Sequence, residues 1–248
     1  MTDPHKRSGV LDGIGVVAGT AVVLGPVLGF LRVVPPLAAF ATFALGGIVS
    51  VIAGLTALVA AARGRGFAFG RAFAVLAALV FLFSILRSGN APRINDFSTD
   101  TDDPPVFVFA ASLPANTGRD MAYPAEFEAI QRDCCNDLHA ARLPTPPDQA
   151  LRQAERVAAA MPTWAAIKVD PASGTIEAVA ESPLFGFQDD VVIRVRPDGS
   201  GSVADVRSKS RDGKGDMGAN AARIRAYVAA LEQPGAGAAP GAAPASDR

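Results

Sequence analysis

The segment Ser208–Ala226, SKSRDGKGDMGANAARIRA, decides the fold. It sets Gly213, Gly215 and Gly218 in the spacing G-x-G-x-x-G, between a run that reads as a strand and one that reads as a helix. A dinucleotide loop of that spacing needs a parallel strand feeding it, a helix N-terminus for the pyrophosphate, and an acidic residue about 20 positions on for the ribose. Here the preceding strand closes an antiparallel hairpin through Arg196–Gly201, RPDGSG, and a Pro/Gly/Ala-rich tail follows the helix. With no second parallel strand, the three glycines serve tight turns and close helix–sheet packing, and the surrounding fold is antiparallel α+β. A weaker anion site remains open, where helix amides lie beside Arg211 and Lys214. Asp216, placed as N-cap, competes for those amides.

Working outward, alternating runs cover Trp164–Val169, Thr175–Glu181, Val191–Arg196 and Ser202–Ser210, the first two joined by DPASG. Period-2 reading puts Ala165, Ile167, Val169, Ile176, Ala178, Ala180, Val191, Ile193, Val195, Ala204 and Val206 on one buried face. Asp148–Met161 forms a helix with Leu151, Ala154, Val157, Ala158 and Met161 on one side, and Pro162 ends it. The last helix buries Ile224, Val228 and Leu231. The expectation for 148–232 is a small α+β domain: helix, four antiparallel strands, helix, with both helices on one face of the sheet. Residues 90–147 read as an extended connector with one short helix near Pro124–Cys135, and 233–248 as a disordered tail.

The first 89 residues are of another kind. Apolar runs at about 13–31, 37–62 and 72–86 carry no charge, and a helix needs about 20 apolar residues to cross the hydrocarbon. The third run is short, but flanking Arg71 and Arg87 can reach the headgroups. Three transmembrane helices are expected, forming an anchor. The first run exceeds a usual signal-peptide h-region and two more follow it, so cleavage is not expected. Gly15/Gly19 and Gly25/Gly29 are small residues four apart, suited to close helix approach in lipid or to ordinary glycine content. Before Asn90 seven cations stand against two carboxylates, whereas the whole chain is −1, so the second half is acidic. Lys6, Arg7, Arg63, Arg65 and Arg71 against Arg32 place the N-terminus and second loop in the cytoplasm. Three crossings of a bacterial cytoplasmic (inner) membrane then leave the C-terminal domain periplasmic. A re-entrant third run would reverse that.

Several stretches resemble the DUF1499 family of uncharacterised bacterial and plastid proteins: INDFSTD and DDPPVF within Ile94–Phe107, AYPAEFEAIQ at Ala122–Gln131, FGFQDDVVIRVRP at Phe185–Pro197, and Asp205–Leu231. The resemblance covers nearly all of Ile94–Leu231. It implies an architecture, often with N-terminal membrane spans, and no activity.

Chemistry-bearing residues are sparse. Cys134 and Cys135 are adjacent, outside ordinary disulfide geometry, and His139 has no second histidine in this half, so no metal, cofactor or catalytic set is expected. The outer sheet face carries Arg194, Arg196, Arg207, Lys209 and Arg211, with Lys214 in the loop beyond. Like charges on adjacent strands cost stability unless neutralised, either by Glu177, Glu181 and Asp205 or by an anionic partner. A second candidate surface is the connector cluster Asn95, Asp96, Ser98, Thr99 and Asp100, whose spacing fits no EF-hand and whose side chains suit local backbone bonds. The leading expectation is a non-enzymatic module, integral to the lipid membrane, that binds or scaffolds an anionic lipid, glycan or membrane protein. An acidic, extracytoplasmic domain argues against nucleic acid. The alternative is a membrane-bound hydrolase using Asp96 or Asp216 with Ser208 or Ser210. Oligomeric state is open.

Overall fold

In a computed structural model the chain divides into two units, residues 1–90 with 182–187, and residues 91–181 with 188–248. The structure describes residues 4–233 except Arg65, Phe67, Ser88 and Asn90. The expected disordered tail therefore lies outside the described residues from position 234 on.

The first unit holds helices α1 (Pro4–Phe30), α2 (Pro36–Ala62) and α3 (Phe69–Arg87). All three are long and apolar enough to cross a membrane. They pack through their glycines. A Cβ on Gly15 would collide with the carbonyl of Gly70 in α3, and one on Gly25 would come within 2.7 Å of the Ala39 carbonyl and the Phe43 amide in α2. Gly15 and Gly19 thus serve α3 and Gly25 serves α2, while Gly29 stands against Leu184 and Phe185 as well as Ala39. Phe43 and Phe81 meet edge-on, with centroids 5.4 Å apart, in a small core with Val22 and Ala77.

The second unit is built on one antiparallel sheet of six strands, not four. Strands β3 (Trp164–Asp170), β4 (Thr175–Glu181), β5 (Gln188–Asp198) and β6 (Gly201–Ser210) form the expected meander. The other two come from the stretch read as connector: β1 (Asp96–Ser98) pairs with residues 207–209 of β6, and β2 (Ala141–Leu143) with residues 202–204. Each is three residues long, too short to print an alternation in the sequence. Lying end to end, they occupy the outer edge of β6, which would otherwise present unpaired amides and carbonyls.

One face of the sheet carries the core. Helix α6 (Pro147–Ala160) contributes Ala150, Leu151, Ala154, Val157 and Ala158, and helix α7 (Ala219–Leu231) contributes Ile224, Tyr227, Val228 and Leu231. They meet Ile176, Ala180, Val191, Ile193, Val195, Ala204 and Val206. The Tyr227 hydroxyl donates to the Ala154 carbonyl at 2.8 Å, and its ring stacks on Trp164 at 5.1 Å, so one residue ties both helices to β3. Ala165 departs from the expected buried face. The register shifts between Ala165 and Lys168, with Ala166 at φ 50°, and this bulge turns Trp164 and Ile167 inward and leaves Ala165 exposed.

Residues between the strands add α4 (Phe109–Ser112), a 3-10 turn at Pro114–Asn116, and α5 (Ala125–Cys134). Phe107 and Ala110 pack on Val192, which faces away from α6 and α7.

Candidate functional site

The outer face of the sheet, expected to be a basic stripe neutralised by its own carboxylates or by an anionic partner, is an ionic layer closed beneath the chain segment 96–122. Its register explains the neutralisation. Arg194 stands opposite Asp205 and Lys209 opposite both Asp190 and Asp96, so opposite charges, not like ones, face each other across strands. Arg207 lies opposite Val192 and Ser98.

Arg207 and Asp96 form the centre. Asp96 is fully buried and Arg207 is 2% exposed. The guanidinium donates through Nε and Nη2 to the two Asp96 oxygens at 2.9 and 2.7 Å, and to the carbonyls of Pro105 and Met121 at 3.0 and 2.9 Å. Its plane lies over Phe107 at 4.7 Å, with Tyr123 at 5.5 Å. Lys209 Nζ adds a second cation to Asp96 at 2.9 Å. A forked guanidinium suits such a desolvated position because all its donors can be met at once. Burial, with the Asp96 charge next, raises the Tyr123 pKa, so that phenol stays protonated.

A second group lies toward the far end of β5. Arg194 donates to Asp103 at 2.9 Å and to Asp205 at 3.3 Å, and Arg196 donates to Asp205 at 2.6 Å and Asp100 at 3.0 Å. Asp100 also takes Arg194 at 3.4 Å. The two candidate sets, basic sheet residues and acidic connector residues, are therefore largely each other's counter-ions. The remaining connector residues act on the backbone. Ser98 Oγ donates to the Asp100 carbonyl at 2.6 Å, Thr99 Oγ1 accepts the Val206 amide at 2.9 Å, and Asn95 Nδ2 donates to the Gly213 carbonyl at 2.8 Å. Gln131 of α5 brackets β1, accepting the Ser98 amide and donating to its carbonyl.

At the other end, Arg211 holds Asp190 through three contacts of 2.6–3.1 Å and reaches Gln188 at 2.6 Å. Lys214 is exposed on the glycine loop. Gly213 and Gly218 take φ of 80° and 84°, and a Cβ on Gly215 would stand 3.4 Å from the Arg93 Cα. Turn geometry accounts for Gly213 and Gly218, whereas a side chain at Gly215 would meet only ordinary contacts. Asp216 accepts the amides of Gly218 and Asn220 at 2.8 and 2.7 Å, the very donors an anion would need. Burial pushes its carboxyl above the usual range, the two amides oppose this, and Asp189 adds to the rise.

Of the hydrolase pairs, those with Asp96 do not form, and Asn220 bonds to both Asp216 and Ser208. Asp96 shares a face with its register partner Lys209, so it is on the opposite side of the sheet from Ser208 and Ser210. Ser208 Oγ donates to Asn220 Oδ1 at 2.6 Å and accepts from Arg223 at 2.9 Å, while Asn220 Nδ2 donates to Ser210 at 2.8 Å. Arg223 continues to Asp189 at 2.6 Å. Both serines are buried, and their hydroxyls fasten α7 to β6.

Glu177, expected to neutralise the basic outer face, holds backbone amides instead. Glu177, 4% exposed on the outer face, accepts the amides of Val108, Phe109 and Ala110 at 2.9, 2.7 and 2.8 Å. It does for α4 what an N-cap does, from 67 or more residues away in sequence. The sequence shows it as one of two acids in the strand, with nothing local to say that its partners are amides. Among the described residues no group of three or more His, Cys, Asp or Glu is placed to hold a metal ion. Cys134 and Cys135 are free thiols, the second in the core. Exposed His139 lies 3.7 Å from Glu232.

Comparison with known families gives one match: residues 96–231 fit the model described as "Protein of unknown function (DUF1499)". It begins at Asp96 and ends at Leu231, from the central carboxylate to the last residue of α7. No significant match was found among curated proteins or solved structures.

Proposed function

This chain belongs to the DUF1499 family, and from that premise we propose that it is a non-enzymatic membrane module. In this reading α1–α3 cross the bacterial cytoplasmic membrane with the N-terminus inside, and the six-stranded domain binds an anionic partner at the outer surface. The observation that carries the reading is the commitment of the reactive side chains. Asp96, Asp216, Ser208 and Ser210 are each held by buried partners within the fold. Groups so satisfied serve architecture rather than turnover. The orientation is supported by the arginines and lysines at the N-terminus and between α2 and α3, against the single Arg32 between α1 and α2.

The pairing narrows the anion-facing set. Arg194, Arg196, Arg207, Lys209 and Arg211 are engaged with carboxylates, whereas Lys214 is exposed beside Arg93, also exposed. These two cations suit a phospholipid headgroup, and Arg93 follows the end of α3 by six positions, about 20 Å of extended chain at most. Native mass spectrometry of the full-length protein, with phosphatidylglycerol and phosphatidylcholine offered together, tests this. Preferential retention of the anionic lipid, lost in Lys214→Ala with Arg93→Ala, is expected. Equal retention of both lipids, or no effect of the substitutions, overturns it. A serine-directed fluorophosphonate probe tests the hydrolase alternative: no labelling is expected, and labelling that disappears in Ser208→Ala reverses the reading.

A further inference from the structure

The turn between β4 and β5 is Ser182–Phe187, SPLFGF, an apolar sequence at a position where sheet connections are polar. These six residues belong to the helical unit. Phe185 packs with Val22, Phe43, Ala77 and Phe81, its ring 5.5 Å from Phe40 and 5.8 Å from Phe43, and Phe187 meets Phe40 at 5.9 Å. Gly29 allows this approach, since a Cβ there would stand 2.9 Å from the Leu184 carbonyl and 3.0 Å from the Phe185 Cα.

The depth follows from helix geometry. At 1.5 Å per residue, Phe43 lies about 10 Å inside the start of α2, Phe81 about 9 Å inside the end of α3, and Val22 about 12 Å inside the end of α1. Contact with Phe40 and Phe43 places the Phe185 ring about 6–10 Å inside the start of α2, with its Cα beside Gly29, one position from the end of α1. The two ends of the loop also satisfy much of their own backbone. Gly186 donates to the Ser182 carbonyl at 3.0 Å, Ser182 donates to the Phe187 carbonyl at 2.8 Å, and the Phe187 amide reaches Ser182 Oγ at 2.9 Å. Arg32 adds a bond to the Ser182 carbonyl at 3.3 Å. Backbone groups satisfied in this way are what hydrocarbon requires of any non-helical segment.

We propose that residues 182–187 are a fourth membrane-embedded element, a re-entrant aromatic plug seated among α1–α3, with half-exposed Leu184 in contact with lipid acyl chains. The inference rests on the three helices spanning the bilayer, and its test separates the two claims. The chain has one tryptophan, Trp164. In full-length Trp164→Phe protein reconstituted into bilayers with chain-brominated lipids, single tryptophans are introduced as Leu184→Trp, Leu79→Trp in the middle of α3, and Ala172→Trp in the β3–β4 turn. Loss of emission for Leu184→Trp and Leu79→Trp, with Ala172→Trp unaffected, is the expected result. Full emission from Leu184→Trp while Leu79→Trp is quenched overturns the plug and leaves the spans intact. Full emission from Leu79→Trp removes the spans themselves and the plug with them. A second readout keeps Trp164: in Cys134→Ser, Cys135→Ala protein, Leu184→Cys should resist a water-soluble maleimide that labels Ala172→Cys. Equal labelling of the two overturns the plug.

Discussion

At the scale of single residues, Asp96 carries more than any other group, because two buried cations depend on it. Asp96→Asn keeps the shape and removes the charge, leaving Arg207 and Lys209 uncompensated out of water. The expected cost is about 3–5 kcal/mol of domain stability, read from denaturant unfolding of the full-length protein in detergent. Asp103→Asn, at a carboxylate 71% exposed, is expected to cost below about 1 kcal/mol in the same assay, and equal costs would contradict the ranking. Asp216 gives a pH signature. Its carboxyl is raised in the folded state, chiefly by burial, so its contribution favours the fold below the unfolded value of about 3.9 and is lost as pH climbs through the folded value. Relative to Asp216→Asn, the natural protein should therefore be most favoured at acid pH, below the unfolded value, and lose that advantage as pH rises, as followed by thermal unfolding. The residue identities of this layer were legible in the sequence, but their pairing was not. Asp96 and Arg207 are 111 positions apart, and only the β1–β6 register brings them together.

Among the elements, α4 is the least self-sufficient. Four residues cannot sustain a helix, and among the described residues Glu177 is the side chain that holds its first amides. Glu177→Ala should strand those donors at about 1–3 kcal/mol and speed hydrogen exchange at Val108, Phe109 and Ala110, with α6 and α7 little changed; unchanged exchange there would contradict the cap. In the helical unit, Gly70→Val should force α3 away from α1 at Asp12 and lower the thermal midpoint of the full-length protein, while Gly66→Val, with nothing within 4 Å, should not. What was legible at this scale is what repeats or runs on. Helix α6 and the four meander strands show their 3.6- and 2-residue periods, and α1–α3 show as long uncharged apolar runs. Strands β1 and β2 show none in three residues, and the β3 bulge interrupts a pattern that alternation alone carries straight through Ala165. The Ser182–Phe187 turn was visible as apolar, yet nothing local says that its aromatic rings belong with α1–α3.

For the whole molecule, composition says most. A basic, uncharged-core first third and an acidic, periodic remainder divide the chain much as its contacts do, with the six-residue Ser182–Phe187 segment as the exception. The account's central claim is that an odd number of crossings leaves the six-stranded domain outside the cytoplasm. Paired fusions joined after Leu231 test it most directly. A reporter that folds only in the periplasm should be active, and one that fluoresces only in the cytoplasm should be dark; the reverse pattern would contradict the claim.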